Sequence, residues 1–224
     1  MAILNKIRWG KFFNVAVFIA IVTIFCMVMV LPRFTKFHLP FSINKSETKI
    51  NLEHEKIKKK AITLKDYAIK NGYDTTYAFI IDMSIASGYK RFFVYHFMAD
   101  TVINSGLVAH GSCNTTYLEK VKFNNKNGCG CSAHGKYKID YSYYGNYGKA
   151  YKLKGLDPSN NNAFERNIVL HSYDCVPNSE TYPSPICNSL GCPMVSIDFF
   201  NTLDVYIKNA TNSVLLWILD EVQD

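Results

Sequence analysis

The chain has 224 residues, of which 48% are hydrophobic, and its formal net charge is +7 at pH 7. This length and apolar content exclude an intrinsically disordered protein and suit one folded domain with an additional segment. Residues 1–36 contain five basic residues and no acidic one, which leaves a net charge of only +2 for the rest of the chain. A nucleic-acid-binding protein usually has a concentrated basic surface, and a net charge of +2 gives no sign of one. We therefore expect no nucleic acid as a partner.

The first predicted element is a transmembrane helix. Residues 12–31 form an apolar run interrupted only by Asn14 and Thr23, and at about 1.5 Å per residue it spans a bilayer core of about 30 Å. No small residues follow it for cleavage, so we expect a retained anchor. The flanking basic residues slightly favour a cytoplasmic N-terminus at 1–11. We therefore expect a single-pass protein of the inner (cytoplasmic) membrane, with the domain that follows the anchor on the periplasmic or extracytoplasmic side.

A linker and a helix are predicted next. Residues 32–51 have linker composition, and residues 52–75 are predicted as a leading helix. The basic run at 56–60 indicates either a solvated surface or attraction to anionic lipid, and the sequence leaves both open. The apolar positions of the helix have the spacing of one buried face: Ile57, Ala61, Leu64, Ala68 and Ile69.

From residue 76 to residue 224 the pattern predicts a mainly β domain with few helices. The first two apolar runs are joined by a turn-rich connection at 84–88 and indicate a β-hairpin. A second helix is predicted at 197–209. Six tyrosines at 137–151 are typical of edge-strand packing, with ligand stacking as the alternative. The predicted strands lie at 78–83, 91–97, 101–109, 136–141, 150–153, 167–171 and 213–219.

The candidate reactive residue is Cys192, which follows Gly191 in a turn between a strand and the second helix. A free thiol is only a few per cent ionised at neutral pH, so cysteine chemistry needs a neighbouring base. His171 ends the preceding predicted strand, and a proline-containing loop separates it from the cysteine. The two side chains can therefore meet as a nucleophile and its base. The alternative is an inert, buried cysteine beside a packed histidine.

These residues resemble a known family. His171-Ser172, a variable loop and then Ser189-Leu190-Gly191-Cys192 resemble the signature of YkuD-like L,D-transpeptidases, with Leu190 in place of a second histidine. That departure is similar to the divergent branch called the murein L,D-transpeptidase catalytic domain family. The resemblance covers residues 77–219 and implies a YkuD-like β-sandwich or barrel-like catalytic domain. Further stretches that resemble this branch lie at 81–94, 108–111, 154–157, 166–172 and 191–195.

The resemblance implies an enzyme that acts on peptidoglycan stem peptides, as an L,D-transpeptidase with an amine acceptor or as an L,D-carboxypeptidase with water. Cys192 would form a thioacyl intermediate and His171 would be the general base, oriented by the backbone carbonyl of Ser172. Backbone N–H groups of Leu190, Gly191 and Cys192 would stabilise the oxyanion. We expect no cofactor and no metal.

Three further residues are candidates for substrate binding. Ser189 belongs to the matched motif. Arg166 could clamp a substrate carboxylate or pair with an acid across the sheet. His110 could contact substrate or be a hydrogen-bonded structural group. The sequence leaves these alternatives open.

Five cysteines outside the predicted anchor remain after Cys192 is assigned as the nucleophile, so one thiol stays free or pairs elsewhere. In an oxidising compartment we expect a disulfide between Cys175 and Cys187, which would close the loop between base and nucleophile. Cys113 would pair with Cys129 or Cys131, and Cys129 is our first choice. The alternative is a zinc site of these three cysteines with His134, although Cys-x-Cys is a poorer metal signature than Cys-x-x-Cys.

The sequence leaves two other functions open. Leu190 in place of the second histidine is compatible with a catalytically silent wall-binding or scaffolding module of the same fold. The cysteine-rich region at 113–131 is compatible with a metal-binding or redox module.

Overall fold

The computed structural model describes residues 17–23, 25 and 45–220. The chain divides into two compact units, 1–47 and 48–224. In the first unit, residues 17–23 and 25 are helical and their side chains are exposed. None of the helices in the described ranges has both the length and the apolar character needed to cross a membrane. The predicted segment 1–11 and most of the predicted anchor and linker lie outside the described residues.

The leading helix, α1, is Lys45–Asn71. It starts within the predicted linker, because residues 45–51 contain neither proline nor glycine to interrupt a helix. It ends before residue 75 because Gly72 has a φ of +71°, and the Tyr73 N–H donates to the carbonyl of Ala68 at 3.0 Å. This left-handed glycine followed by a backward hydrogen bond is a Schellman helix end.

Helix α1 packs on the domain through one face. Four of the five predicted apolar positions are buried, and only Ile69 is largely exposed. Two lysines of the basic run form ion pairs with the domain, Lys56 with Asp82 at 2.8 Å and Lys58 with Asp100. Part of the basic run therefore binds protein carboxylates.

Nine strands form one sheet in the order β3-β2-β1-β9-β5-β6-β7-β8-β4, which confirms a mainly β, barrel-like fold. The predicted hairpin is the antiparallel pair β1 and β2. The predicted strand at 101–109 is two strands interrupted at Leu107, and β8 is too short for its apolar pattern to be recognised. The strands are β1 (Tyr77–Asp82), β2 (Phe92–His96), β3 (Thr101–Gly106), β4 (Val108–Ala109), β5 (Gly135–Gly145), β6 (Gly148–Gly155), β7 (Val169–Ser172), β8 (Met194–Val195) and β9 (Leu215–Leu219).

The second helix, α2, is Ile197–Asn209, as predicted. Its N-terminus is capped by Ser196, whose side chain accepts a hydrogen bond from the Phe199 N–H at 3.3 Å. Phe199, Phe200 and Leu203 are buried in the main core with one face of β1. This packing fixes the segment that runs from Cys192 through β8 into α2.

Candidate active site

A cleft of about 890 Å³ brings the predicted nucleophile and base to one surface. His171 and Cys192, the pair that the sequence predicts, both line it. Its walls come from the β5–β6 hairpin, the loops at 112–117 and 166–169, strand β7 and the segment 187–194. The lining also includes Tyr143, Tyr147, Arg166, Asn167, Asn188, Ser189 and Leu190.

His171 lies on β7 between two neighbouring strands, opposite Ala150 on β6 and Met194 on β8. Its Nδ1 is 3.0 Å from the backbone carbonyl oxygen of Ser172. Because a carbonyl only accepts, Nδ1 carries the proton and Nε2 of the neutral ring has a free lone pair. Burial lowers the pKa of His171 below its ordinary 6.5, although the contact with Ser172 opposes this. The ring is therefore neutral near pH 7.

Tyr147 covers the imidazole. The ring centroids of Tyr147 and His171 are 5.4 Å apart at an interplanar angle of 28°, and Tyr173 contacts Tyr147 edge-on at 5.4 Å. Tyr147 stands at the tip of the β5–β6 hairpin, and Tyr143 of the same hairpin also lines the cleft. The tyrosine-rich segment therefore contributes to the candidate site. The predicted edge-strand packing is wrong, because β5 and β6 lie inside the sheet, each with a strand on both sides.

The Cys192 thiol lies against the first residue of β7 and the segment that precedes it. Its Sγ accepts a hydrogen bond from the Val169 N–H at 3.4 Å and is 3.8 Å from the carbonyl oxygen of Asn167. Burial raises the pKa of the Cys192 thiol, while the Val169 N–H and the cations of Arg166 and Lys152 act in the opposite direction. The raised pKa means that the thiol is protonated at neutral pH and requires a base.

Lys152 is a cation close enough to this thiol to affect its pKa, and the sequence did not identify it as a site residue. Its side chain is buried on β6, and its Nζ donates to the Asn167 Oδ1 at 2.6 Å and lies 4.7 Å from the Phe164 ring centroid. Burial lowers the pKa of this lysine. The available signal was a lysine inside an otherwise apolar predicted strand.

The residues 189–192, here called the nucleophile turn, are tied together by a hydroxyl. The Ser189 Oγ accepts from the Gly191 N–H at 3.1 Å and donates to the Cys192 carbonyl at 2.7 Å. The hydroxyl expected to bind substrate instead binds within the turn. The Gly191 N–H, expected as an oxyanion donor, is occupied by the same contact. Within the described part of the chain, the N–H groups of Leu190 and Cys192 have no such partner and remain as donors.

Gly191 has a conformation that requires glycine. Its φ is +113°, and a Cβ at this position would lie 2.6 Å from the Cys131 carbonyl oxygen. Leu190, at the position of the second histidine in the usual signature, is 74% exposed. The turn thus presents an aliphatic side chain at the cleft where the usual signature would present an imidazole.

His110 is not at the cleft surface, which corrects the expectation that it contacts substrate. It is fully buried, with Nδ1 2.9 Å from the Arg91 Nη2 and Nε2 2.9 Å from the Leu118 carbonyl oxygen. Burial and the neighbouring guanidinium lower the pKa of His110 to about 4. It is a neutral, hydrogen-bonded structural group, the alternative that the sequence left open.

Arg166 lines the cleft but is held by backbone rather than by an acid. Its Nη1 donates to the Asn124 carbonyl at 3.0 Å, and its Nη2 donates to the Cys131 carbonyl. No ion pair with an acid is present for it in the described ranges, so the structure does not support the alternative of pairing with an acid across the sheet. The carboxylate clamp stays a prediction.

The disulfide between Cys175 and Cys187 is present, as predicted, with a Cα–Cα distance of 6.1 Å. It closes most of the loop that joins β7 to the nucleophile turn. Cys187 lines the cleft, and its neighbour Ile186 is buried in a small core with Met194. This loop is thereby fixed at the end that approaches Cys192.

The first choice for the second disulfide is wrong, because Cys113 pairs with Cys131 and Cys129 is a free thiol. The Cys113 N–H donates to the Gly130 carbonyl at 3.0 Å, which brings the following residue, Cys131, beside Cys113. The Cys129 Sγ instead accepts from the Arg166 Nη2 at 3.4 Å. Two residues of the alternative zinc site are bonded to each other, so that site does not fit. The described part of the chain has no other grouping of three or more potential metal ligands.

Comparison with known proteins gives a family match. Residues 48–217 match the L,D-transpeptidase catalytic domain family. No curated protein matches the chain.

Several solved structures are similar at low sequence identity. An L,D-transpeptidase from Xylanimonas cellulosilytica has 14% identity and a TM-score of 0.37, with 69% of this chain and 68% of that chain covered. LD transpeptidase LdtMt1 in complex with imipenem has 12% identity and a TM-score of 0.38, with coverages of 64% and 59%. The helical cell shape determining protein Pgp2 from Campylobacter jejuni has 12% identity and a TM-score of 0.41, with coverages of 67% and 50%.

Proposed function

Because the chain belongs to the L,D-transpeptidase catalytic domain family, whose members act on peptidoglycan stem peptides, we propose that it is a cysteine L,D-transpeptidase or L,D-carboxypeptidase. The observation that carries the proposal is the shared cleft of His171 and Cys192, with the His171 Nδ1 held by the Ser172 carbonyl. This contact leaves the other ring nitrogen free to accept a proton.

In the proposed acylation, the Cys192 Sγ attacks the carbonyl carbon between the third stem residue and the terminal D-alanine. The thiol proton passes to the His171 Nε2. Collapse of the tetrahedral intermediate breaks the C–N bond, and the protonated imidazole returns the proton to the departing amine. The thioester then reacts with an amine acceptor to form a cross-link or with water to release a shortened stem.

The oxyanion of the intermediate requires hydrogen-bond donors. The N–H groups of Leu190 and Cys192 fit this role, because the Gly191 N–H is bound to Ser189. One such donor contributes about 3 to 4 kcal/mol to lowering the barrier. A carboxylate of the substrate, if it binds beside Arg166, would meet a guanidinium already fixed by Asn124.

We further propose that residues 12–31 anchor the enzyme in the cytoplasmic membrane, with the catalytic domain on its outer side. The support is the apolar length of this segment and the basic residues on its N-terminal side.

Thioacylation by the carbapenem imipenem tests the proposed nucleophile. We expect one covalent adduct per wild-type chain by intact-mass spectrometry and none for Cys192→Ala. The matched control is Cys129→Ala, which removes the other free thiol and should still form the adduct. A wild-type protein that never acylates, or an adduct that persists in Cys192→Ala, would contradict the proposal.

A second candidate function is a catalytically silent wall-binding or scaffolding module, favoured by the exposed Leu190 at the position of the second histidine. Incubation with muropeptides of defined stem length distinguishes the functions. A cross-linked dimer indicates transpeptidation, and a shortened monomer indicates carboxypeptidation. Binding to sacculi with unchanged muropeptides supports the silent module.

A further inference from the structure

A buried cation and a buried imidazole lie behind the nucleophile turn, and the proposed chemistry uses neither of them. Arg91 is 1% exposed and His110 is 0% exposed. The Arg91 Nε and Nη2 donate to the Val108 carbonyl at 3.0 and 2.8 Å, and Nη1 donates to the Ile85 carbonyl at 3.0 Å. A side chain with this many backbone partners is fixed in place, and it fixes its neighbours.

The contact between Arg91 and His110 determines which ring nitrogen of the histidine carries the proton. A guanidinium has only donors, so the His110 Nδ1, 2.9 Å from the Arg91 Nη2, must accept. The proton of the neutral ring is therefore on Nε2, which donates to the Leu118 carbonyl at 2.9 Å. The imidazole therefore links the fixed Arg91 side chain to the backbone of Leu118 through one hydrogen bond on each side.

Leu118 in turn holds the residue that enters the nucleophile turn. Its N–H donates to the Asn188 Oδ1 at 2.6 Å, and its carbonyl accepts from the Asn188 Nδ2 at 3.0 Å. Both ends of the Asn188 amide are thus bound to one backbone residue. Asn188 lines the cleft and directly precedes Ser189.

The backbone of His110 binds the same turn independently of its side chain. The Ser189 N–H donates to the His110 carbonyl at 2.9 Å, and the Ser112 N–H donates to the Ser189 carbonyl at 2.9 Å. These two bonds form a short parallel bridge between Gly111 and Ser189. The start of the nucleophile turn is therefore held by two sets of contacts. The backbone of residues 110–112 binds Ser189 directly, and the His110 imidazole acts through Leu118 on Asn188.

We propose that His110 is a positioning residue for the nucleophile turn: held by Arg91, its imidazole fixes Leu118 and Asn188, and so places the N–H groups of Leu190 and Cys192 toward the substrate carbonyl. This role rests on the proposed function and extends it to a residue that does not touch substrate. The placement matters for acyl chemistry, because a displacement of about 1 Å can cost about 100-fold in rate.

Two reactions of the same thiol separate positioning from folding. Imipenem acylation forms an oxyanion and needs the turn donors, whereas alkylation by iodoacetamide forms an S–C bond with loss of iodide and has no oxyanion. We expect His110→Ala to lower the acylation rate at Cys192 by about 100-fold and to leave the alkylation rate and its pH dependence at Cys192 unchanged. Peptide mapping assigns the label to Cys192 rather than to Cys129.

Conservative variants test the direction of the hydrogen bonds. His110→Gln places an amide donor near the former Nε2 and should recover most of the acylation rate. His110→Asn retains an acceptor for Arg91 but does not reach Leu118, and it should acylate as slowly as His110→Ala. If His110→Ala does not fold, as judged by circular dichroism, the proposal is tested by comparing the acylation rates of His110→Gln and His110→Asn.

The matched control is Asp74→Ala, which removes another buried side chain with several backbone partners. The Asp74 carboxylate accepts from the N–H groups of Thr76, Tyr77 and Thr211 at 2.8 to 3.2 Å, away from the cleft. This variant should lower the melting temperature without changing the ratio of acylation to alkylation.

The outcomes distinguish the two proposals. If the wild type acylates and His110→Ala acylates equally fast, the positioning role is overturned and the enzymatic function stands. Acylation and alkylation that fall together, or equal rates for the Gln and Asn variants, also overturn it. A wild type that is alkylated at Cys192 but never acylated overturns both the proposed function and the positioning role.

Discussion

At the residue scale, the proposed catalytic pair is neutral before it reacts. Burial disfavours the charged form of each group, so it lowers the pKa of His171 and raises the pKa of Cys192. A thiol above its ordinary pKa and an imidazole below its own do not exchange a proton at rest. In the proposed reaction the proton would therefore move during the attack on the substrate, and His171 would act as a general base rather than as one member of a stable ion pair.

This charge state predicts the pH dependence of acylation. Protonation removes the base, and because the pKa of His171 in the folded protein lies below 6.5, the imipenem acylation rate should fall with acid only below pH 6.5. Stopped-flow rates on Cys129→Ala, which leaves a single free thiol, measure the profile. An acid limb centred above pH 6.5 would instead indicate a thiolate and imidazolium pair.

How far the sequence predicts individual residues depends on whether their partners are local. Cys192 and His171 were named from the chain, and the contact of His171 with Ser172 involves adjacent residues. For Arg166 the chain left two roles open, because its hydrogen-bond partners, the carbonyls of Asn124 and Cys131, lie more than thirty residues away in sequence. Residue type identifies a donor, but only tertiary structure shows which atom accepts.

At the scale of elements, the β5–β6 hairpin places Tyr147 against the ring of His171, the proposed base. Aromatic stacking contributes about 1 kcal/mol, so Tyr147→Ala should lower the imipenem acylation rate about fivefold, while Tyr147→Phe should retain it. The matched control is Tyr144→Ala, because Tyr144 lies in the same hairpin and is 82% exposed. An equal effect of Tyr144→Ala would assign the loss to the hairpin rather than to the stacked ring.

The loop between β7 and the nucleophile turn depends on its disulfide. Replacing both Cys175 and Cys187 by serine should lower the free energy of unfolding by about 3 kcal/mol, the loop-closure contribution for a ring of this size. Urea denaturation of the variant and of the wild type under non-reducing conditions measures the difference. Unchanged stability would mean that packing of Ile186 alone holds the loop.

Among the elements, those with clear periodicity were predicted well. Helix α2 has its predicted bounds because a serine cap precedes a regular apolar pattern. The start of α1 was misplaced because serine and asparagine occur in linkers and helices alike. Strand β8 has two residues and pairs with both β7 and β4, so its existence depends on its neighbours rather than on its own pattern.

At the scale of the whole molecule, the proposed anchor predicts where the protein resides. The full chain should stay with the membrane fraction after alkaline carbonate extraction. Arginine near the middle of a spanning helix costs about 2.5 to 3.5 kcal/mol per residue, so Ile21→Arg combined with Val22→Arg should release the protein. Val22→Leu is the conservative control and should remain bound. A wild type extracted by carbonate would contradict the anchor.

Strand β9 is the last strand of the described chain, yet it lies in the middle of the sheet. It pairs in parallel with β1 and antiparallel with β5, and it joins the β1–β3 side of the sheet to the β5–β8 side. While the chain is made and, as proposed, crosses the membrane, both halves of the sheet therefore have open edges until residues 215–219 emerge. Pairings this distant in sequence slow folding and leave unpaired edges prone to aggregation. A chaperone would therefore be of greatest use before β9 pairs with β1 and β5.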